Sequence, residues 1–569
     1  MTRYKLLIVL LAIALPATLT AERKITLRPP LRIDHDHAPI AQPKNRNVSE
    51  TFAILYNSWT RHLNLEYDLS KAAGIRALNV NAWDEVPDSS WFTNRIGLMP
   101  LSFDDIEKGI EAEGKDPEPG TWTVTKIGDE GYTPKIYITD SANRRYVLKF
   151  DLPAALERNS AAERICTLIL HAVGFNVPHN SIAFFRREQL RLGEDATYTN
   201  SVGQKQPLIY PVFESMMQKL KPMADGRYRG LASFLISGAS VGRFVYQGKR
   251  KDDPNDLIPH ELRRELRGLR IIASWINHVD VGDKNAGDFF IAGEDKRGYV
   301  RHYLLDFGSA LGSGDFINGP YRVGHEYIFD GSAIGKSFVT LGAWRRPWDV
   351  EGRIVYPEVG YFQAELFDSA KWKPNYPNLA FVQMDDADGY WGAKIVTALT
   401  DDIILRLVQA GNYTRPEVTQ YVDEVLKKRR DAIGGYWFSR VTPLDEFSLT
   451  RSASGYRLSF RDLAVERGYK RQEGRSYRYW IDTAAGKRLA AIQNTELASD
   501  HLDFPAGLLS GTAKNDGKPD RYGRVPTVCL FIQAMDRGSA QGLPVEVILG
   551  HTGGSAELAV LGYNHATRQ

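Results

Sequence analysis

The hydrophobic period of this 569-residue chain changes from two to 3.6 and back to two, and each change sets what a segment can bury. Thr121–Ile127 and Lys135–Thr139 alternate, and Arg145–Phe150 is rich in strand formers, with a turn at Asp140–Asn143 between the last two. Ser160–Val173 then reads as a helix: Ile165, Leu168, Ile169 and Ala172 recur at i, i+3, i+4 and i+7, and Gly174 stops it. A mostly helical region is expected from there to about residue 440. Its clearest helices are Glu261–Asn277, Asp401–Ala410 and a third opened by the capping-box pattern Thr414-x-x-Glu417 and ended at Gly434. From about residue 445 short alternating runs return: Tyr456–Phe460, Tyr477–Asp482, Arg488–Gln493, Val525–Gln533, Val545–Leu549 and Ala556–Leu561. They predict a separate all-β sandwich or barrel, and the chain as a whole is α+β. Residues 22–118 are mixed, with an aromatic loop at Asp88–Phe92, and Gly114–Gly120 is a turn-rich linker.

Composition narrows the function. Apolar residues at 43% and charged residues at 25% exclude a disordered, collagen-like or polytopic membrane chain. The 72 basic residues nearly balance the 69 acidic ones, so no nucleic-acid partner is expected. Cys166 and Cys529 each sit in an apolar run and read as buried thiols. Residues 1–21 read as a signal peptide: Arg3 and Lys5 form a basic start, Leu6–Leu15 an apolar stretch, and Pro16 to Ala21 a cleavage region. Ten apolar residues are too short to span a bilayer comfortably, although an uncleaved anchor is the other reading. The expectation is a periplasmic or secreted protein with no integral membrane span after cleavage.

Five features stand in an order that chemistry can use. Lys126-Ile-Gly128-Asp-Glu-Gly131 is a glycine-bearing turn between the first two strands. Lys149 lies on the third strand, and Glu163 on the helix after it. Then come Asn277-His278-Val-Asp280-Val-Gly282-Asp-Lys284-Asn285 and His302-Tyr-Leu-Leu-Asp306-Phe307-Gly308. The apolar lead-in Tyr303-Leu-Leu places Asp306 at the end of a buried strand, where a carboxylate without a cation is costly. Phosphoryl transfer needs a carboxylate to accept a hydroxyl proton, a carboxylate and an amide to hold metal ions, a lysine on the phosphates and a backbone flap over them.

His278-x-Asp280 followed by Asn285, and Asp306-Phe307-Gly308, resemble the H-x-D-x-x-x-x-N and D-F-G motifs of protein kinases. The departures resemble the atypical kinases: HipA-type toxin kinases, spore-coat CotH kinases and secretory-pathway, Golgi casein kinase-like enzymes. There is no G-x-G-x-x-G and no A-P-E, Gly282 stands where kinases carry a lysine, and Asp306 follows Asp280 by 26 residues. The resemblance covers residues 120–435. It implies a two-lobed kinase-like domain, with an N-lobe at 119–215 and a helical C-lobe at 216–440, behind an N-terminal extension (22–118) and before the C-terminal β domain (441–569).

The resemblance also implies roles. Asp280 and Lys149 would be catalytic. Gly128, Gly131, Lys149 and Glu163 would bind ATP or another nucleotide. Asn285 and Asp306 would bind Mg²⁺ or Mn²⁺, and His278 would be a buried hydrogen-bonding support. The residues alone allow other roles: Lys149 a solvated strand lysine, Glu163 half of a capping box Ser160-x-x-Glu163 with Glu157 as the substitute ion-pair partner, Asp280 and Asn285 helix caps. Three functions remain open. The first is an exported phosphotransferase acting on an unknown protein or glycan hydroxyl. The second is a non-catalytic pseudokinase that binds a partner, and the third is AMP transfer on the same fold. Two patches, Lys249–Asp256 before a helix carrying Arg263, Arg264, Arg267 and Arg270, and Trp344-Arg-Arg-Pro-Trp348, read as a solvated or salt-bridged face and as packing. The sharper alternatives are a lobe-locking ion network or anionic-substrate surface for the first, and a sugar or peptide site for the second.

Overall fold

The structure, a computed structural model, describes residues 27–30, 36–60, 74–128, 134–200, 203–314, 322–453, 455–483, 495–497, 500–505, 519–553, 555 and 557–566. The leader, Gly131 and the run Arg488–Gln493 lie outside the described residues.

Seven strands form the first sheet: β1 (Trp122–Gly128), β2 (Lys135–Thr139), β3 (Arg145–Lys149), β4 (Asn180–Phe185), β5 (Leu190–Thr199), β6 (Lys205–Pro207) and β7 (Tyr228–Phe234), in the order β4-β7-β3-β2-β1-β5-β6. Alternation puts Trp122, Val124, Ile136 and Ile138 into one core with Phe213, Met216 and Met217, because successive strand side chains face opposite sides. The register pairs Gly128 with Lys135 and Lys135 with Lys149. The region after Gly174, expected to be helical, begins instead with the three strands β4 to β6, and after a helix at Tyr210–Met217 β7 carries the sheet past residue 215. The polar β5 alternates poorly and β4 is buried on both faces for most of its length, so neither shows a clean period of two.

Among the helices used below are α1 (Glu50–Ser58), α2 (Phe103–Glu111), α3 (Arg158–Val173), α4 (Arg264–Trp275), α5 (Asp386–Thr397), α6 (Asp401–Gln409) and α7 (Pro416–Trp437). Two expected caps are corrected. Ser160 donates through its N–H and hydroxyl to Asp151 at 2.8 and 2.6 Å, and α3 starts two residues earlier, after Glu157 at φ +72°. The Ser160–Glu163 capping box is not formed, which leaves Glu163 for another partner. Thr414 donates its N–H and hydroxyl to Glu157, so α7 opens on Pro416 without a side-chain cap. It also runs past Gly434 to Trp437, because the space a side chain would need there is filled by the Tyr469 ring. The long helix expected at Glu261–Asn277 divides into a 3₁₀ turn at His260–Leu262 and α4.

A hairpin of β9 (Ala286–Ala292) and β10 (Gly298–Leu304), edged by the short β8 (Ala239–Ser240), spans the gap between Asn285 and Asp306. After α7 come two antiparallel sheets. The first is β11 (Leu444–Ser452), β12 (Gly455–Asp462) and β15 (His501–Pro505). The second contains β13 (Arg475–Thr483), β14 (Thr495–Leu497), β16 (Arg524–Asp536), β17 (Ser539–Ala540), β18 (Val545–Thr552) and β19 (Ala559–His565). Leu444, Phe447 and Leu458 of the first share a core with Tyr477, Ile481, Leu530 and Val547 of the second. Among the described residues no helix is long and apolar enough to cross a membrane.

Candidate functional site

Lys149, the last residue of β3, meets Glu163 of α3 and approaches Asp306 after β10. Lys149 Nζ lies 2.6 Å from Glu163 Oε1 and 3.8 Å from Asp306 Oδ1. Glu163 is buried, whereas the Asp306 side chain is half exposed. Burial opposes the Lys149 charge, but Asp306 and Glu163 outweigh it and raise the ammonium above its ordinary range. Burial pushes the Glu163 carboxyl up against the pull of Lys149. Asp306 is held below the usual carboxylate range, chiefly by Lys149, with help from Lys135 and the Gly308 N–H. Glu157, the substitute partner, is occupied by Thr414.

Asp306 adopts φ +58°, a left-handed conformation uncommon outside glycine, though Asp tolerates it best with Asn. Phe307 behind it is fully buried and packs edge-on against His278, with ring centres 5.7 Å apart. A Cβ on Gly308 would stand 3.3 Å from Glu163 Oε2 and 3.6 Å from Asp306 Oδ1, so glycine keeps the space beside both carboxylates open. Asn159 Nδ2 fixes the Gly308 carbonyl at 2.6 Å.

The second cluster is the loop after α4. Asn277, at φ +49°, turns the chain and accepts from Trp372 Nε1 at 2.8 Å. His278 donates its backbone N–H to Ala273 O at 2.8 Å. Burial lowers its ring to about 4, and its Nδ1 has no hydrogen bond among the described residues, so it supports the loop by packing. Asp280 is ringed: Lys284 Nζ lies 3.1 Å from Oδ1, Asn375 Nδ2 donates to Oδ1 at 3.2 Å, and Asn285 Nδ2 donates to Oδ2 at 3.0 Å and to the Asp280 carbonyl at 2.8 Å. Burial nevertheless raises the Asp280 carboxyl, against the opposing pull of Lys284, Asn285 and Asn375. The two clusters are tied by the backbone, Leu305 N–H donating to Asn285 O at 2.9 Å.

Gly128 ends β1 two strands from Lys149 in register, through Lys135. Sequence reasoning missed Lys135, Asn159, Asn375 and Tyr376. Lys135 was findable as the cross-strand partner of Lys149; Asn159, in the first turn of α3, and Asn375 and Tyr376, on a loop, carry no such signal. Tyr376 also explains Gly282: a Cβ there would lie 2.7 Å from its hydroxyl oxygen, so no lysine fits.

The arginine-rich patch is buried, not solvated. Arg264 is fully buried and bonds Asp84 Oδ1 at 2.9 Å and Asp388 Oδ1 at 3.0 Å, and Arg267 reaches Asp388 Oδ2 at 3.2 Å. Asp84 also receives Arg28 at 2.7 Å and His565 Nδ1 at 2.8 Å. This is a lock joining the N-terminal segment, α4, α5 and β19. Trp348 stacks on His325 at 4.8 Å and donates Nε1 to the buried Glu326 at 2.9 Å. It lines a cavity of about 750 Å³ together with Trp344 and Arg270.

No family model matches the chain, and no curated protein matches it. Among solved structures it is similar to the Helicobacter pylori proinflammatory kinase CtkA, at 13% identity over 56% of this chain and 97% of that one, with a TM-score of 0.29. It is also similar to the Golgi casein kinase, at 12% identity over 73% of this chain and 97% of that one, with a TM-score of 0.22. The Golgi casein kinase solved with Mn/ADP bound gives 12%, 71%, 96% and 0.23 in the same terms. At such TM-scores the overlap carries no assignment, and the function is argued from the side chains.

Proposed function

We propose that the chain is an atypical kinase-like phosphotransferase, exported as its leader suggests, that moves phosphate from a nucleotide to a hydroxyl acceptor. The observation that carries this reading is Lys149 ion-paired to Glu163 and near Asp306, with a second loop, tied to the Asp306 strand by the Leu305 N–H to Asn285 O bond, that holds Asp280, Lys284 and Asn285 together. Lys149 would hold the nucleotide phosphates, oriented by Glu163, under the turn that starts at Gly128. Asp280 would take the acceptor proton as its oxygen attacks the terminal phosphorus and the bond to the departing diphosphate breaks. Its raised carboxyl suits a base better than a freely solvated aspartate does.

The donor set fits a divalent cation bound together with phosphates. Asn285 spends its Nδ2 on Asp280 and keeps Oδ1 as an acceptor; Asp306 is anionic and half exposed beside a side-chain-free Gly308. One carboxylate and one amide, with substrate oxygens completing the shell, is the usual pattern for Mg²⁺. Among the described residues no group of three or more His, Cys, Asp or Glu side chains forms an all-protein cage. The cation would neutralise phosphate charge.

Two substitutions separate the roles. Asp306→Asn is expected to abolish Mg²⁺-dependent ATP binding in calorimetry while the circular dichroism spectrum is unchanged. Asp280→Ala is expected to keep ATP binding and to lower turnover by about a hundredfold or more. A wild-type protein that binds no nucleotide with Mg²⁺ or Mn²⁺ ends the catalytic reading and leaves a pseudokinase.

A further inference from the structure

Two cavities flank the loop from Gly282 to Ala286, and one short segment walls both. The first, about 510 Å³, is lined by Arg46, Arg243 and Lys284 and reaches Leu305, the neighbour of Asp306. The second, also about 510 Å³, is lined by Arg46, Lys249 and Lys251 and reaches Gly282, Asp283 and Tyr376. Arg46, Asn47 and Val48 belong to both.

This segment lies outside the lobes that carry the proposed chemistry, yet it is stapled to them. Arg46 N–H donates to Val241 O at 2.9 Å. Gly242, at φ +105°, lets the Arg46 backbone approach so closely that a Cβ would collide with its carbonyl. Lys44 N–H donates to Asp252 Oδ2 at 3.0 Å, and its carbonyl accepts from Arg250 at 2.5 Å.

The charge of the two cavities is one-sided. Their linings hold five cations, Arg46, Arg243, Lys249, Lys251 and Lys284, and one carboxylate, Asp283. Arg46 Nη1 is buried and makes no hydrogen bond among the described residues. A concave site whose lining carries an excess of positive charge concentrates anions, and guanidinium groups match carboxylate and phosphate oxygens in pairs. Lys284 links this charge to the chemistry, because its ammonium touches Asp280.

We propose that Asn45–Ser49, with Arg243 and Lys284, forms the acceptor site, and that the acceptor is a hydroxyl compound bearing a phosphate or carboxylate. The inference rests on the phosphotransferase reading and adds the substrate class. The anion sits on Arg46 and Arg243, and the hydroxyl beside it points to Asp280.

The test compares matched acceptors that differ only in the anion, glycerol against glycerol phosphate and glucose against glucuronate, with Mg²⁺-ATP as donor. The anionic member is expected to be preferred by about tenfold or more in kcat/KM, the scale of one or two charge-assisted hydrogen bonds. In Arg46→Ala/Arg243→Ala the preference is expected to vanish while the Kd for Mg²⁺-ATP is unchanged. Inorganic phosphate titrated into the nucleotide-free protein is expected to bind wild type and Lys149→Met alike and to bind the double variant weakly. Equal use of both members by wild type, a preference that survives in the double variant, or phosphate binding lost only in Lys149→Met overturns the proposal. Absence of Mg²⁺-ATP binding in wild type removes the phosphotransferase reading and the acceptor role together. Phosphate binding that still depends on Arg46 and Arg243 would then show an anion site of another purpose.

Discussion

Two networks of buried charge differ in how completely they are closed. At the junction of the N-terminal segment, α4, α5 and β19, Arg264, Asp388 and Asp84 are at most 3% exposed and every carboxylate faces at least two partners. At the end of β3, Lys149 has a buried partner in Glu163 but only a distant one in Asp306, whose side chain is 50% exposed. The first arrangement spends its carboxylates on cations and leaves only Arg264 Nη2 without a hydrogen bond among the described residues. The second holds an ammonium and a carboxylate in position with capacity unspent, which is what a site for a charged ligand requires.

The largest effect is expected from breaking the closed network. Burial opposes ionisation of Asp84, and Arg264, His565 and Arg28 overcome it, holding the carboxyl well below its usual range. Asp84→Ala removes one of the two carboxylates facing Arg264 and leaves Arg28 and His565 without theirs, and a loss of about 3–5 kcal/mol in urea unfolding is expected. A loss below about 1 kcal/mol would mean that water or rearrangement satisfies these cations, and the contrast with the Lys149 cluster would fail.

Asp283 lies between the two cases, on the loop that walls the cationic cavities. Burial pushes its carboxyl up to about 6, against the N–H of Tyr246 and nearby cations. A folded value above the unfolded one means that stability is full below about pH 4 and falls as pH rises through about 6. Asp283→Asn keeps the acceptor oxygen for Tyr246 and should therefore stabilise the chain by about 3 kcal/mol at pH 8 and by almost nothing at pH 4. Equal melting shifts at both pH values would sink this reading.

The smallest stability change is expected at the Lys149–Glu163 pair. Lys149→Met removes the ammonium but leaves Glu163 able to neutralise by taking a proton, since burial already raises it. A cost of about 1 kcal/mol is expected at pH 8, shrinking as the pH falls and Glu163 protonates. ATP affinity should fall far more than stability does. A stability loss as large as that of Asp84→Ala would place Lys149 among the closed network instead.

Local chemistry made much of this legible before any coordinates. The β1–β3 strands, α6 and most C-terminal strands follow from alternation or helical spacing, and Asp306 was marked by an apolar strand leading to a carboxylate. The arginine patch was not legible as buried, because a helix face of Arg263, Arg264, Arg267 and Arg270 looks solvated until its partners are known. Those partners, Asp84, Asp256 and Asp388, are scattered along the chain. The strands β4 to β7 were hidden for a related reason, since strands buried on both faces or polar at an edge lose the period of two.

Sequence by itself determined which residues could do chemistry and in what order, because spacing along one loop or strand is a local property. Tertiary structure alone decided which of the competing local roles each residue takes. Glu163 could cap its own helix, yet Ser160 turns to Asp151 and α3 starts earlier, so Glu163 meets Lys149. Gly282 reads in sequence as a missing lysine. In space the Tyr376 ring fills the position, and Lys284 reaches Asp280 from the next turn of the loop. The physical reason is the same in both: hydrogen bonds and ion pairs compete, and the winner is set by long-range packing that sequence spacing does not encode.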